Sequence, residues 1–507
     1  MAFRDLPTFT DLRAFLAFLE AHNGVVHIDE PVNLVHDMTE IHRRVLAAQG
    51  PALWFDHAFD ARGRSRIPVL ANLFGTAQRV AQGFGVKRER VGELGEMLAA
   101  LREPSPIDGL RDAMSRWPLV RAALSTRPQI VSRPPCQAEQ WTGDAVDLTR
   151  LPIQTCWPGE PAPLISWPLV LTRPPDTDAD DTARMNIGVY RMQALGTDRA
   201  ILRWLAHRGG AAHHRAWSRR GEDMPVAVAI GADPATMLAA VLPLPETISE
   251  LRFSGVLRGD RPRIAPALTI PLMVPADAEI VLEGWASATE TAPEGPYGDH
   301  TGYYNAVENF PVMRITAITL RRDPIYVTTF TGRPPDEPSV IGGVLNELAL
   351  PSIRRQMPEI VDLWLPPAAC SYRIAVVSIR KDYPGQARRV MMGVWSMLPQ
   401  FNYTKMIIVV DDDIDARNWD DIAWALATRM DPSRDLCVIG NTPIDYLDFA
   451  SPDSGLGGKL GIDATKKIGA ETRRDWGRVL KMAPETIARV DALWPRISKK
   501  LERVPTS

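Results

Sequence analysis

Between about Gln137 and Thr331 the apolar residues arrive in short, β-branched runs, each cut off by glycine or proline. The clearest are Leu164-Ile-Ser-Trp-Pro-Leu-Val-Leu171, Val226-Ala-Val-Ala-Ile-Gly231, Ala278-Glu-Ile-Val-Leu-Glu283 and Arg314-Ile-Thr-Ala-Ile-Thr-Leu320. Runs this short suit strands, and their spacing predicts a largely β middle region with a barrel-like sheet. The flanks read differently. From Asp11 to about Leu101, helical patterns such as Leu12, Phe15, Leu16 and Leu19 alternate with strand-like Val25–Ile28 and Pro68–Leu70. From about Pro338 the alternation returns. Lys405–Asp411 reads as a buried strand, Trp419–Met430 as a helix and Asp435–Ile439 as a second strand, a βαβ unit that predicts a parallel sheet. The expected fold class is therefore mixed α/β and β, multidomain: an N-terminal α/β domain over 1–115, a central β-barrel-like domain over 116–332, and a C-terminal α/β domain with a parallel sheet and terminal helix over 333–507. A chain of 507 residues suits three domains of roughly 150 residues each.

Composition removes several function classes. A net charge of −3 gives no long-range field for nucleic acid. The four cysteines, Cys136, Cys156, Cys370 and Cys437, form no C-x-x-C pair, which argues against zinc or dithiol chemistry and fits a reducing cytoplasm. No uncharged apolar run reaches the ~18 residues of a membrane span. The start, Met-Ala-Phe-Arg-Asp-Leu-Pro, carries an acid and a proline where a signal peptide needs an apolar run.

The chemistry concentrates in Glu294-Gly-Pro-Tyr-Gly-Asp299, which continues into His300-Thr-Gly-Tyr-Tyr-Asn305. Proline and two glycines exclude regular helix, so two carboxylates sit on a shaped loop among aromatic rings. One of them in an apolar setting would carry a raised pKa while the other stays ionised, as proton transfer requires; a solvated surface turn is the plainer alternative. Asn186-Ile-Gly-Val-Tyr-Arg191 reads as a strand with Asn186, Gly188 and Tyr190 on one side and Arg191 on the other. Asn186 offers a hard oxygen to a cation and Arg191 a planar fork to a carboxylate; a salt-bridged strand end is the alternative. Thr197 to Gly210 predicts a short helix capped by Gly209-Gly210, whose glycines form either a phosphate nest or a simple C-cap. Glu250 is a lone acid before a strand-like run, and Asp411-Asp412-Asp413 with Asp415 suits helix capping better than metal. The stripe Ile487, Val490, Leu493, Trp494 and Ile497 of a terminal helix would dock on its own domain or on another subunit.

Taken together, Glu283-Gly284, Thr291 through Asn305, Thr331-Gly-Arg-Pro-Pro-Asp-Glu-Pro338, Arg389-Val-Met-Met-Gly-Val-Trp395 and Asn441 through Ser451 resemble the UbiD-type decarboxylases over nearly the whole chain, closest to the polyprenyl-hydroxybenzoate branch of ubiquinone biosynthesis. The resemblance implies a central split-barrel flavin domain and prenylated FMN, supplied by a flavin prenyltransferase, with Mn2+ and in some cases K+ bridging its phosphate. It implies metal ligands at Asn186, Glu250 and, in distant members, the place of His207. It implies cofactor contacts at Val189, Tyr190, Arg191, Arg203, Trp204, Leu205, Arg208 and Gly209. Arg191, Glu294 and Asp299 match the family's catalytic set, and aspartate at 299 favours a hydroxybenzoate substrate. A polyprenylated substrate implies a cytoplasmic protein resting on the inner face of the membrane, and the terminal helix a homo-oligomer, hexamer or dimer. The same chemistry on a soluble hydroxybenzoate is the nearer alternative. A phosphate- or flavin-binding module, or a metal phosphohydrolase, is the more distant one.

Overall fold

The computed structural model describes residues 4–102, 122–205, 208–242, 244, 248–397 and 399–501. The expected domain boundary near 115 and the metal candidate His207 lie outside them. The middle of the chain forms one antiparallel sheet of nine strands. Its order runs Asn186–Val189, Leu169–Thr172, Met224–Ile230, Ile280–Glu294, Glu308–Leu320, Arg199–Leu202, Met192–Ala194, Leu164–Ile165, with Glu139–Thr142 also paired to Glu308–Leu320. The strands at opposite ends of this order are nearly continuous in the chain. Asn186–Val189 leads into Met192–Ala194 through Tyr190 and Arg191 alone, and Leu164–Ile165 leads into Leu169–Thr172 through three residues. So short a link spans only about 10 Å, so the sheet must curl until its ends approach each other. Met224–Ile230 is buried along its whole length, which explains why its sequence is a continuous apolar run rather than an alternation.

A parallel and antiparallel sheet of Val25–Ile28, Ala52–Phe55, Val69–Ala71 and Tyr326–Val327 forms beside it, so a strand from the end of the middle region completes the N-terminal sheet. One apolar cluster runs without interruption from Leu12, Phe15 and Phe74 through Leu169 and Val226 to Leu348. The helix Glu337–Gln356 begins at Asp336, whose side chain accepts from Ser339 N–H, and leads into the C-terminal sheet.

That sheet, ordered Ile360–Trp364, Ile374–Ile379, Met406–Asp411, Leu456–Ala464, Leu436–Pro443, corrects the βαβ reading. Met406–Asp411 is parallel to Ile374–Ile379 and to Leu456–Ala464. Leu436–Pro443 is instead an antiparallel edge strand on Leu456–Ala464. Its half-exposed side chains suit an edge, whereas a central parallel strand would be buried on both faces.

Two further expectations change. Arg199–Leu202 is a strand, since Ala200, Ile201 and Leu202 are all buried against neighbouring strands, and the helix starts at Gly209 rather than ending there. The run after Glu250 is the helix Glu250–Arg258, with Glu250 as its first residue. The terminal helix Pro484–Leu501 buries none of its residues in this chain, and Ile487, Val490, Leu493, Trp494 and Ile497 remain 40–52% exposed. It does not dock on its own domain.

Candidate active site

The seam of the curled sheet carries Arg191. Its Nε donates to Glu294 Oε1 at 2.8 Å, Nη1 to Asp299 Oδ2 at 2.9 Å, and Nη2 to Asn305 Oδ1 at 2.7 Å. Glu294, fully buried at the end of the long strand Ile280–Glu294, also receives Arg203 Nη1 at 2.6 Å. Two guanidinium groups on one buried carboxylate make a charge-compensated cluster that water does not screen. The loop is shaped by Gly295, at φ 92°, and by Asn305, whose amide oxygen also accepts from Tyr297 N–H at 2.8 Å. Glu160 braces it from beneath, accepting from Gly298 N–H at 3.3 Å and Cys156 N–H at 2.7 Å.

Burial by itself pushes the Asp299 carboxyl up, but hydrogen bonds from His300 and the charges of Arg191 and His300 outweigh it. The carboxyl is held well below the usual range. The raised carboxyl expected for one of the two loop acids is therefore not at Asp299. Burial lowers His300, yet Asp299 and Asp445 together lift it to about 9 from an ordinary 6.5. The imidazolium thus stabilises the fold fully below about pH 6.5 and loses that contribution as pH rises through about 9.

A second set of residues lies on the strand Asn186–Val189 and the two helices that begin beside it. Asn186, Gly188 and Tyr190 do share a face: Tyr190 Oη accepts from Asn186 Nδ2 at 3.5 Å, and a Cβ at Gly188 would meet the Tyr190 ring at 2.5 Å. Tyr190 Oη also accepts from Gly210 N–H at 3.2 Å. A Cβ at Gly209 would stand 2.2 Å from Asn186 Oδ1, so the start of the helix Gly209–Ser218 is pressed against that amide oxygen. Arg208 stands at the N-cap of this helix without a side-chain cap hydrogen bond, and Tyr190 Oη takes one amide of the first turn. Glu250 Oε2 accepts from Ile187 N–H at 3.0 Å, next to Asn186, and burial pushes its carboxyl up to about 7. Asn186 and Glu250 could together hold a hard cation, which would keep that carboxylate ionised. Trp204 Nε1 is buried here with no hydrogen-bond partner. Among the described residues no three His, Cys, Asp or Glu side chains cluster as a metal cage. The donors present, one amide oxygen and one carboxylate, would suit a hard cation that takes its other ligands from elsewhere.

Family models for the N-terminal, Rift-related and C-terminal domains of 3-octaprenyl-4-hydroxybenzoate carboxy-lyase match residues 16–98, 129–334 and 339–464. The chain belongs to the UbiD family. It is a carboxy-lyase, as that family and its structural neighbours are. Vanillic acid decarboxylase of Sedimentibacter hydroxybenzoicus, in closed form, is 26% identical over 98% of this chain and 99% of its own, with a TM-score of 0.81. The UbiD-class enzyme HmfF of Pelotomaculum thermopropionicum, in complex with FMN, is 26% identical over 95% and 99%, with a TM-score of 0.77. An evolved dimeric form of HmfF, in complex with prenylated FMN, is 25% identical over 94% and 98%, with a TM-score of 0.74.

Within this UbiD fold the residues singled out in the sequence fall into two groups. Arg191, Glu294 and Asp299 converge directly, and Asn186, Tyr190, Gly209 and Glu250 gather beside them. Val189 and Leu205 are partly buried nearby in the chain, and Arg208 is exposed at the helix start. Arg203, expected at the cofactor, places its guanidinium on Glu294 and on Tyr446 Oη at 3.0 Å. Asp411 and Asp413 are taken up by Arg429 and Lys466 and form an ion-pair cluster. Asn305, Glu160, Asp445 and Tyr446 were not singled out. Asn305 ends the loop motif, and the Asn441–Ser451 segment that carries Asp445 and Tyr446 was visible only as a motif without a role.

Proposed function

We propose that this chain removes CO2 from a hydroxybenzoate-type aromatic acid with prenylated FMN as cofactor, and that 4-hydroxy-3-polyprenylbenzoate of ubiquinone biosynthesis is the substrate. The observation that carries this is Arg191 bridging Glu294 and Asp299 at the seam of the sheet, beside the Asn186, Glu250 and Gly209 cradle. Prenylated FMN, when bound, supplies the electron sink that ring decarboxylation needs and no side chain provides. Asn186 and Glu250, with His207, would hold Mn2+ on its phosphate at the start of the Gly209 helix, with K+ as a further possible ion of the site. A flavin prenyltransferase would supply the cofactor.

Arg191 fixes both acids and presents positive charge to an incoming carboxylate. Asp299 carries a proton to the ring carbon that loses CO2, and Glu294 is its partner through Arg191. From the C-terminal part of the chain, Tyr446 meets the cluster by accepting from Arg203 Nη2 at 3.0 Å.

The polyprenyl reading draws on an exposed apolar rim. Asp299 N–H donates to Tyr303 O, and the Tyr303 ring, 66% exposed, meets Phe449, 57% exposed, at 5.8 Å. Val307 adds a further exposed apolar side chain. Such a rim beside a buried polar site suits a ligand with an apolar tail. The second reading, a soluble hydroxybenzoate, is favoured by the likeness to vanillic acid decarboxylase. Reconstituted holoenzyme should release CO2 at least about tenfold faster, by kcat/KM, from a prenylated than from an unprenylated 4-hydroxybenzoate presented in vesicles, since one buried isoprenoid is worth well over 1 kcal/mol. Equal rates would favour the soluble substrate, and would remove the reason for peripheral membrane contact. No helix among the described residues is long and apolar enough to cross a membrane.

The bare stripe on Pro484–Leu501 fits a second copy of this chain in a homo-oligomer. A Leu493→Asp, Trp494→Asp double variant should shift the mass seen by light scattering to that of a single chain with its melting curve little changed. An unaltered mass would count against this helix as the contact.

A further inference from the structure

His300 follows Asp299 in the same turn and has had no role in the steps above. Its Nδ1 lies 2.9 Å from Asp299 Oδ1, which also accepts the His300 backbone N–H at 2.8 Å. Its other nitrogen, Nε2, is buried without a hydrogen-bond partner and faces Asp445 Oδ2 at 3.7 Å. Asp445 comes from the far end of the chain. It is fixed there by the Tyr372 hydroxyl at 2.9 Å, Leu447 N–H at 2.9 Å and the Arg373 guanidinium at 3.2 Å. An imidazole is thus held between two carboxylates, one of them the acid that serves the reaction. The other charged or titratable groups facing this cluster are Arg191 behind Asp299, Arg373 and Tyr372 behind Asp445, and Asp336, whose carboxyl feels the imidazolium.

Decarboxylation of an aromatic carboxylate consumes one proton for each CO2 released. Asp299 rests ionised, so that proton must come from behind it. We propose that His300, as an imidazolium held between Asp299 and Asp445, is the proton reservoir for Asp299, a positioning residue that acts on the substrate only through that carboxylate. The Nδ1–H bond breaks as the Asp299 O–H bond forms. That O–H bond then breaks as the new C–H bond forms at the carbon that lost CO2. The neutral imidazole, still protonated at Nε2 beside Asp445, regains a proton from water at Nδ1, and nothing in the protein is oxidised or reduced. Its side chain is 20% exposed, which brings part of the ring to solvent. The reservoir rests on the decarboxylase reading above, and deepens it.

Two variants and two readouts test it. In the wild-type holoenzyme kcat should fall as pH rises through about 9, where the imidazolium is lost. Asp445→Asn removes an anion and should move that alkaline limb about one unit lower. His300→Gln should lower kcat at neutral pH roughly 10- to 100-fold with KM little changed, and should abolish the limb. Histidine labelled at 13Cε1 gives the second readout, in which the resonance lost in His300→Gln should titrate near pH 9 and shift downward in Asp445→Asn. A His300→Gln enzyme with wild-type kcat and pH profile, or a His300 resonance unmoved by Asp445→Asn, overturns the reservoir while leaving the decarboxylase standing. A wild-type protein with the raised imidazole that releases no CO2 from either acid overturns the substrate reading, and the reservoir with it.

Discussion

Glu294→Gln is expected to lower the rate of CO2 release by about 100- to 10,000-fold while the flavin remains bound. The substitution keeps the shape of a fully buried side chain and removes its charge. Arg191 and Arg203, at 2.8 and 2.6 Å, then share one neutral acceptor and meet an amide N–H2 where an oxygen had accepted. Buried donors left without an anion cost about 3–5 kcal/mol when a pair of this kind is broken. The Arg191 fork is therefore expected to swing toward Asp299, drawing that acid away from the substrate. Stopped-assay CO2 release, the absorbance of the bound flavin and a melting curve, taken together, separate lost chemistry from lost folding. A variant with normal flavin absorbance and wild-type turnover would remove Glu294 from the mechanism.

Gly209→Ala is the second large effect, and it acts on loading rather than on turnover. A methyl group at this position would stand 2.2 Å from Asn186 Oδ1, closer than real carbon–oxygen contacts allow, so Asn186 or the helix start must move. Alanine is otherwise welcome at the first position of a helix, so little stability should be lost. Retention of divalent metal and of flavin should fall roughly 10- to 100-fold, the usual cost of disturbing a ligand's support. Metal analysis and flavin absorbance of gel-filtered protein would show it. Wild-type contents in the variant would mean that Asn186 and the Gly209 helix do not form the cradle.

The parts of the molecule that could be read from sequence were those in which local pattern and final burial agree. Val226–Ile230 and Arg314–Leu320 are short β-branched runs, and the sheet buries the first entirely and the second from Ile315 onward except for half-buried Thr316. Arg199–Leu202 defeated the same reading because four residues of mixed character cannot distinguish strand from helix. Its fate was decided by partners at Met192–Ala194 and Glu308–Leu320. Leu436–Pro443 looked like a parallel strand, yet the direction of a strand depends on the chain's return path rather than on its composition.

In the candidate site, Arg191, Glu294 and Asp299 were grouped through the family resemblance, since their local segments, a strand end and a Gly-Pro-Tyr-Gly loop, left a salt bridge and a solvated turn as alternatives. The roles of Arg203 and His300 could not be read, since each is defined by a partner supplied from elsewhere, Glu294 and Asp445 respectively. The same holds for Asp299, whose ionisation follows from its two cationic neighbours and runs against the burial that a one-dimensional reading emphasises.

The dipeptide Tyr190-Arg191 joins one edge strand of the central sheet to the strand next to the opposite edge and also carries the guanidinium that gathers the acids. On the proposed roles, structural closure and catalytic competence would be one event. A half-assembled chain has no weak form of the enzyme to fall back on, and an insertion at this dipeptide would open the molecule and silence it at the same moment.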